Sequence, residues 1–107
     1  MNDPAFLEAA RGLAQRVLKE GGTQLDQRLT FAFRLTLARE PRKEELQILR
    51  KAYAQQLANF RNDKKAAEEL ISVGESPHPS DLDPSELAAW TAIGNILLNL
   101  DETITKG

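Results

Sequence analysis

The side chains able to do chemistry gather just ahead of the last apolar segment. His78, the single histidine, stands between Pro77 and Pro79. An imidazole can serve as a base or a metal ligand, but one ligand is not a site. The chain has no cysteine or second histidine to join it. Glu75, Asp81, Asp83 and Glu86 place carboxylates nearby. They lack the alternating ligands and closing glutamate of an EF-hand loop, and Asp83 and Glu86 are better explained as helix-capping residues. Gly74-Glu75-Ser76-Pro77 puts a serine after an acid, without the glycine-x-serine-x-glycine form of a nucleophile elbow. Ser76 therefore reads as a turn residue. Gly21-Gly22-Thr23 is too short for a phosphate loop and has no following lysine, so it reads as a helix break. Arg34, Arg39, Arg42, Lys43, Arg50 and Lys51 flank a short turn, as the basic groups of a helix-turn-helix reader would. Glutamates interrupt that run and the turn has no distinctive signature. Asn95 and Asn99 are polar residues on a mostly apolar segment, and if buried they need partners.

The elements that must position these groups read as helices throughout. The clearest start is Leu82-Asp83-Pro84-Ser85-Glu86-Leu87. Asp83 is an N-cap, Pro84 suits the first helical position, and Glu86 can reach back to the cap N–H. Leu82 and Leu87 have the spacing of a hydrophobic staple. The segment from Pro84 to about Asn99 carries Trp90, Ile93, Leu97 and Leu100, and reads as the central core helix, followed by a short polar tail. Gly94 lies inside it, where glycine costs about 1 kcal/mol relative to alanine. Close approach of another helix would explain it.

Four further helices precede this one. Asn2-Asp3-Pro4 opens the first, whose apolar stripe runs from Phe6 to Leu18 and which Gly21-Gly22 ends. Thr23 and Asp26 form an approximate capping box for the second, with Leu25, Leu29, Ala32, Phe33 and Leu37 on its inner face. Phe31 and Leu35 lie off that stripe, which predicts burial on two sides. That helix ends near Ala38, ahead of Pro41. A third runs from about Arg42 to Asn62 on a seam of Leu46, Leu49, Tyr53, Leu57 and Phe60. Asn62-Asp63 allows a cap and restart into a short fourth, with Ala66, Ala67, Leu70 and Ile71 inward. Glycine and two prolines between Ser72 and Leu82 exclude continued helix. The expected fold is all-α: a compact bundle of about five helices with a Pro/Gly loop before the last long helix, forming one domain over residues 1–107.

Composition narrows the classes. A chain of 107 residues, 41% hydrophobic and 28% charged, has room for one core. The formal charge of −2 gives no general reason to expect nucleic acid. No apolar run approaches the ~20 residues of a membrane span, and the N-terminus lacks the basic-then-apolar form of a signal peptide. Charge is nevertheless segregated. From Arg28 to Lys65 ten basic residues face four acidic ones, Glu40, Glu44, Glu45 and Asp63. From Ala66 to Thr105 there is no lysine or arginine and there are eight acids. Solvated faces with scattered weak ion pairs are the simplest expectation for such a pattern.

Several words of the sequence resemble a known family. Phe31-Ala32-Phe33-Arg34-Leu35-Thr36-Leu37-Ala38-Arg39-Glu40-Pro41 with Glu44-Glu45-Leu46 is one. Val73-Gly74-Glu75-Ser76-Pro77 is a second, and Ala89-Trp90-Thr91-Ala92-Ile93 to Asn99-Leu100-Asp101-Glu102 a third. Asn2-Asp3-Pro4 with Glu8-Ala9-Ala10-Arg11 also fits. Arg42 departs from the pattern, standing where a capping serine or threonine is common. The chain resembles, over essentially its whole length, the planctomycete-specific C-terminal domain of unknown function found in large planctomycete cytochrome-type proteins. The resemblance implies a C-terminal helical piece of a longer, exported parent, periplasmic or at the cell surface. It implies no haem in this chain, which lacks the cysteine-x-x-cysteine-histidine motif, and Met1 then says nothing about a natural start. It transfers no residue role.

The expectation is a non-catalytic interaction or structural domain, packed on upstream domains of its parent or on a protein partner, with no catalytic residue, metal or cofactor and no membrane contact. One alternative has it supply part of an active site, carbohydrate-directed in one version, that upstream domains complete. Another is weak nucleic-acid binding through the basic half. The candidate binding set is Gly74, Glu75, Ser76 and Pro77 with Asn95 and Asn99.

Overall fold

Five helices appear in a computed structural model: α1 (Pro4–Glu20), α2 (Leu25–Leu37), α3 (Lys43–Asn62), α4 (Lys64–Ile71) and α5 (Pro84–Lys106). The backbone is described for residues 4–72 and 81–106. No strand occurs among the described residues. The radius of gyration of 13.0 Å is that of a compact chain of this length.

Helix α5 is the axle. Leu87, Ala88, Ala89, Trp90, Thr91, Ile93 and Leu97 are all buried. Four consecutive residues from Ala88 to Thr91 point in all directions around a helix, so this part of α5 is enclosed on every side. It packs against each of the other four helices, most extensively against α1. Trp90 stacks on Tyr53 of α3, with ring centroids 4.6 Å apart and planes tilted by 37°, a geometry favourable for aromatic pairs. Burial, then the nearby Glu86 charge, pushes the Tyr53 hydroxyl pKa upward. The one hydroxyl inside α5's buried run, Thr91 Oγ1, donates to Leu87 O at 2.7 Å, while Trp90 Nε1 is buried without a hydrogen-bond partner among the described residues.

Gly94 is where α1 comes closest. A Cβ built there would lie 3.1 Å from Ala10 O and 3.3 Å from Leu13 Cδ2. The glycine thus trades helix propensity for close contact between backbones, as its position in the sequence suggested.

Helix starts follow local chemistry, with two corrections: neither the Glu86 reach-back to the Asp83 N–H nor the Thr23/Asp26 box forms. Asp83 Oδ2 accepts from Glu86 N at 3.0 Å, and Asp63 Oδ1 accepts from Ala66 N at 3.0 Å, so both aspartates cap as expected. Glu86 turns its carboxylate toward Arg28 of α2, 3.7 Å away. For α2 the Thr23/Asp26 box is not what forms. The cap is Gln24, and Gln27 Oε1 accepts its N–H at 3.1 Å. Asp26 is drawn off by Arg50 of α3, which binds it bidentately at 2.7 and 2.8 Å. At α3, Arg42 has no side-chain acceptor to offer, and Glu45 satisfies the cap instead by accepting Arg42 N–H at 2.7 Å. The last helix also continues to Lys106, past the expected end near Asn99. Nothing between Leu100 and Lys106 breaks a helix; the next glycine is Gly107.

Helix α2 ends on Ala38, whose φ of 59° lies in the left-handed region while its N–H bonds Arg34 O. A side chain there strains the backbone by roughly 1 kcal/mol. Ala38→Gly is therefore expected to stabilise the fold by about 1 kcal/mol. Gly94→Leu should do the reverse, costing about 2 kcal/mol or more by forcing α1 away from α5. Urea unfolding followed through Trp90 fluorescence measures both; equal stability of Gly94→Leu and the parent chain would contradict the close-packing account.

Candidate functional site

The expected site divides in two. Gly74, Glu75, Ser76 and Pro77 lie outside the described residues, as does His78. Asn95 and Asn99 are on α5, half-buried. Asn99 Nδ2 donates to the Asn95 backbone carbonyl at 2.8 Å, a bond within the helix rather than to a loop. Asn95 Oδ1 is buried and has no hydrogen-bond partner among the described residues. No group of three or more histidine, cysteine or acidic side chains is placed to hold a metal ion, again among the described residues.

The basic groups around the α2–α3 turn are largely engaged. Arg39 makes two 2.9 Å bonds to Glu45 and stacks over Phe33 at 4.8 Å. Arg34 lies 3.5 Å from Glu40, and Arg50 holds Asp26. A helix-turn-helix reader needs such cations directed at phosphate; here three of them face carboxylates of their own chain. Arg39 together with the Arg42 N–H holds the Glu45 carboxyl well below the ordinary value of 4.5, down to about 2.

A groove not foreseen in the sequence opens between the end of α1 and the outer side of α2. It has a volume of about 860 Å³ and is lined by Glu20, Gly21, Gly22, Asp26, Gln27, Thr30, Phe31, Arg34 and Leu35. Its axis follows α2: Asp26, Thr30 and Arg34 make one row at i, i+4, i+8, and Gln27, Phe31 and Leu35 the next. These are the positions for which burial on two sides was expected. Phe31 is partly buried and packs against the core while Leu35 remains 42% exposed, so among the described residues the second apolar side of α2 is only partly covered. The signal was present in the sequence as apolar residues off the main stripe. Ile48 is more exposed, at 67%, but belongs to no described groove.

The charged groups at the ends of the groove are paired within the chain. At one end α1 runs out at Gly21-Gly22, where Arg28 Nε donates to Gly22 O at 2.9 Å. Glu20 and Asp26 flank that end. Hydrogen bonds from Arg16 and Arg50 respectively hold both carboxyls below their ordinary pKa, so both are ionised at neutral pH. Arg16 also covers part of Phe31, 5.9 Å from the ring centroid. At the other end stand Arg34 and Leu35. Gly22 has φ 89°, and a Cβ there would lie 2.7 Å from Gln27 Oε1, so the turn that forms this end requires glycine.

Arg11 is a further residue that sequence reading passed over. It is 2% exposed, and its Nη1 donates to Ile71 O at 2.6 Å, tying α1 to the end of α4. A cation at that helix C-terminus is favourably placed in the dipole field. The signal was its position on the inner stripe of α1, beside Ala10 and Ala14.

Residues 1–53 match the model of a family described as PSD1, a protein of unknown function (DUF1553). The match covers α1, α2 and the first half of α3, and includes the whole groove. The asparagine pair and the 73–77 stretch lie beyond it. No curated protein and no solved structure matches the chain.

Glu45 supplies a pH-dependent part of stability. Its folded pKa lies below its unfolded one, so its contribution is complete above about 4.5 and is lost as pH falls toward about 2. The stability gap between the parent chain and Glu45→Gln should therefore hold from pH 6 to about pH 5 and narrow from there toward pH 2, as measured by urea titration at each pH. A constant gap would mean that Glu45 acts through packing alone.

Proposed function

We propose that this chain is a non-catalytic helical module that packs against the rest of a longer protein or against a protein partner. The observation that carries this reading is the partly covered side of α2. A helix that buries Leu29, Ala32 and Phe33 inward leaves Leu35 exposed beside a half-buried Phe31, along a groove. Apolar side chains presented together in this way favour a partner surface. The ion-paired turn arginines speak for a protein partner over nucleic acid, because the chain's own carboxylates already compensate them. The match to a domain family of unknown function is compatible with a structural module. In its finer form, the proposal has this module close the C-terminal end of an exported planctomycete cytochrome-type protein, on the resemblance of its sequence words.

Isothermal calorimetry of this chain against the remaining domains of that parent is the test. Saturable heat with one-to-one stoichiometry is expected. The absence of heat, together with independent elution of the two parts on a sizing column, would overturn the proposal.

A further inference from the structure

Helix α4 differs from its neighbours in how it is held. It has eight residues, too few to stay helical in water without tertiary support. Its charges also run against its own dipole. Lys64 and Lys65 stand in its first turn and Glu68 and Glu69 in its last. That is the reverse of α3, where Glu44 and Glu45 open the helix and Arg61 closes it. The four α4 charges are exposed, and no ion pair joins them among the described residues. Lysine four places before glutamate is also the weaker order for such a pair. Local chemistry thus gives this segment little reason to be a helix.

Three attachments supply the reason. Inward, Ala67 and Ile71 are buried and Leu70 packs partly on the core, with the helix lying mainly against α5. At its start, Asp63 is the single residue between α3 and α4. Its backbone leaves the helical region, with φ −135° and ψ 80°. Its N–H bonds Asn59 O at 3.0 Å, and its Oδ1 caps Ala66 N, so one residue closes one helix and opens the next. At the far end, Arg11 Nη1 of α1 donates to Ile71 O at 2.6 Å. Helix α4 has no base in its own last turn, and a cation 60 positions earlier takes that place. The guanidinium is 2% exposed, so undocking α4 returns it to water. Rehydration of the charge offsets part of the lost bond. The attachment therefore holds α4 without locking it.

We propose that α4 is a flap of the bundle, jointed at Asp63 and latched by Arg11 at Ile71, which swings off α5 as a unit while the other four helices stay folded. Closed, it covers one side of α5. Open, it bares that side together with the Arg11 guanidinium, an apolar surface with a cation set in it. The motion belongs to this chain alone and does not depend on the module having a partner.

Native-state hydrogen exchange of the full chain, at rising urea below the unfolding transition, is the test. After correction for intrinsic rates, the amides of Ala67 to Ile71 should exchange about tenfold faster or more than those of Ala88 to Leu97. They should share one urea dependence, smaller than that of the α5 amides but not zero. Equal protection and urea dependence in the two sets would mean that α4 opens only with the whole fold. A urea dependence of zero in α4 would mean fraying residue by residue. Either result would overturn the proposal. Arg11→Met should raise exchange in α4 about tenfold relative to α5. Lys65→Glu combined with Glu69→Lys, at exposed positions, restores the order that the dipole favours and should slow α4 about threefold, with α5 unchanged. This surface pair decides the matter even if Arg11→Met does not fold. Rates in α4 unmoved by the pair, or an Arg11→Met chain in which α4 and α5 accelerate alike, would equally overturn the proposal.

Discussion

Everything in this fold depends on one helix being enclosed. Around Ala88 to Thr91, α5 has no solvent side, so its neighbours must surround it and their own apolar stripes must all point inward. Small residues make that enclosure possible. Ala88 and Ala89 are fully buried beside Trp90, and Gly94 lets the backbone of α1 come within contact distance. The large side chains fill space, and the small ones set how near the helices stand. A close-packed interior has little slack, so a single added methyl at Gly94 meets a carbonyl oxygen rather than a side chain that could swing away.

Polar groups are distributed to serve this packing. Arg28 and Glu86 join α2 to α5 at the edge of the core, and Ser85 Oγ reaches Phe60 O at 3.4 Å near the end of α3. Of the ion pairs among the described residues, only Arg28–Glu86 joins the basic stretch to the acidic one. The segregation of charge along the chain is thus not resolved within the fold. It leaves the surface of α3 and the first turn of α4 rich in cations and the outer side of α4 rich in acids. Exposed pairs contribute little stability individually, and this molecule rests on burial.

Periodicity made the helices and the core legible. The stripes of α1, α3 and α4, the Asp63 and Asp83 caps, the glycine break after α1 and the close approach at Gly94 all follow from spacing and residue type. What escaped was settled by competition between distant residues. Asp26 has the right chemistry for a helix start but finds a better partner in Arg50, 24 positions later. Arg11 looks like a surface residue by type and is a buried one by position. Phe31 and Leu35 announced a second contact face, and whether the same chain would cover it was not written locally. Of the candidate site's two asparagines, Asn99 finds a partner inside α5 and Asn95 Oδ1 finds none among the described residues. The bond that forms is a turn-to-turn one within α5, because a side-chain amide four residues on reaches the preceding carbonyl without any loop.

The bond from Arg11 to Ile71 spans 60 positions, and α1 lies mainly against α5. The stretch that carries the family match ends at residue 53, before α4 and α5 exist. Matched and folded are therefore different units here. Residues 1–53 alone would lack α5, the helix against which α1 packs most extensively. A boundary drawn at the end of the match would cut through α3 at Tyr53, the residue that stacks on Trp90.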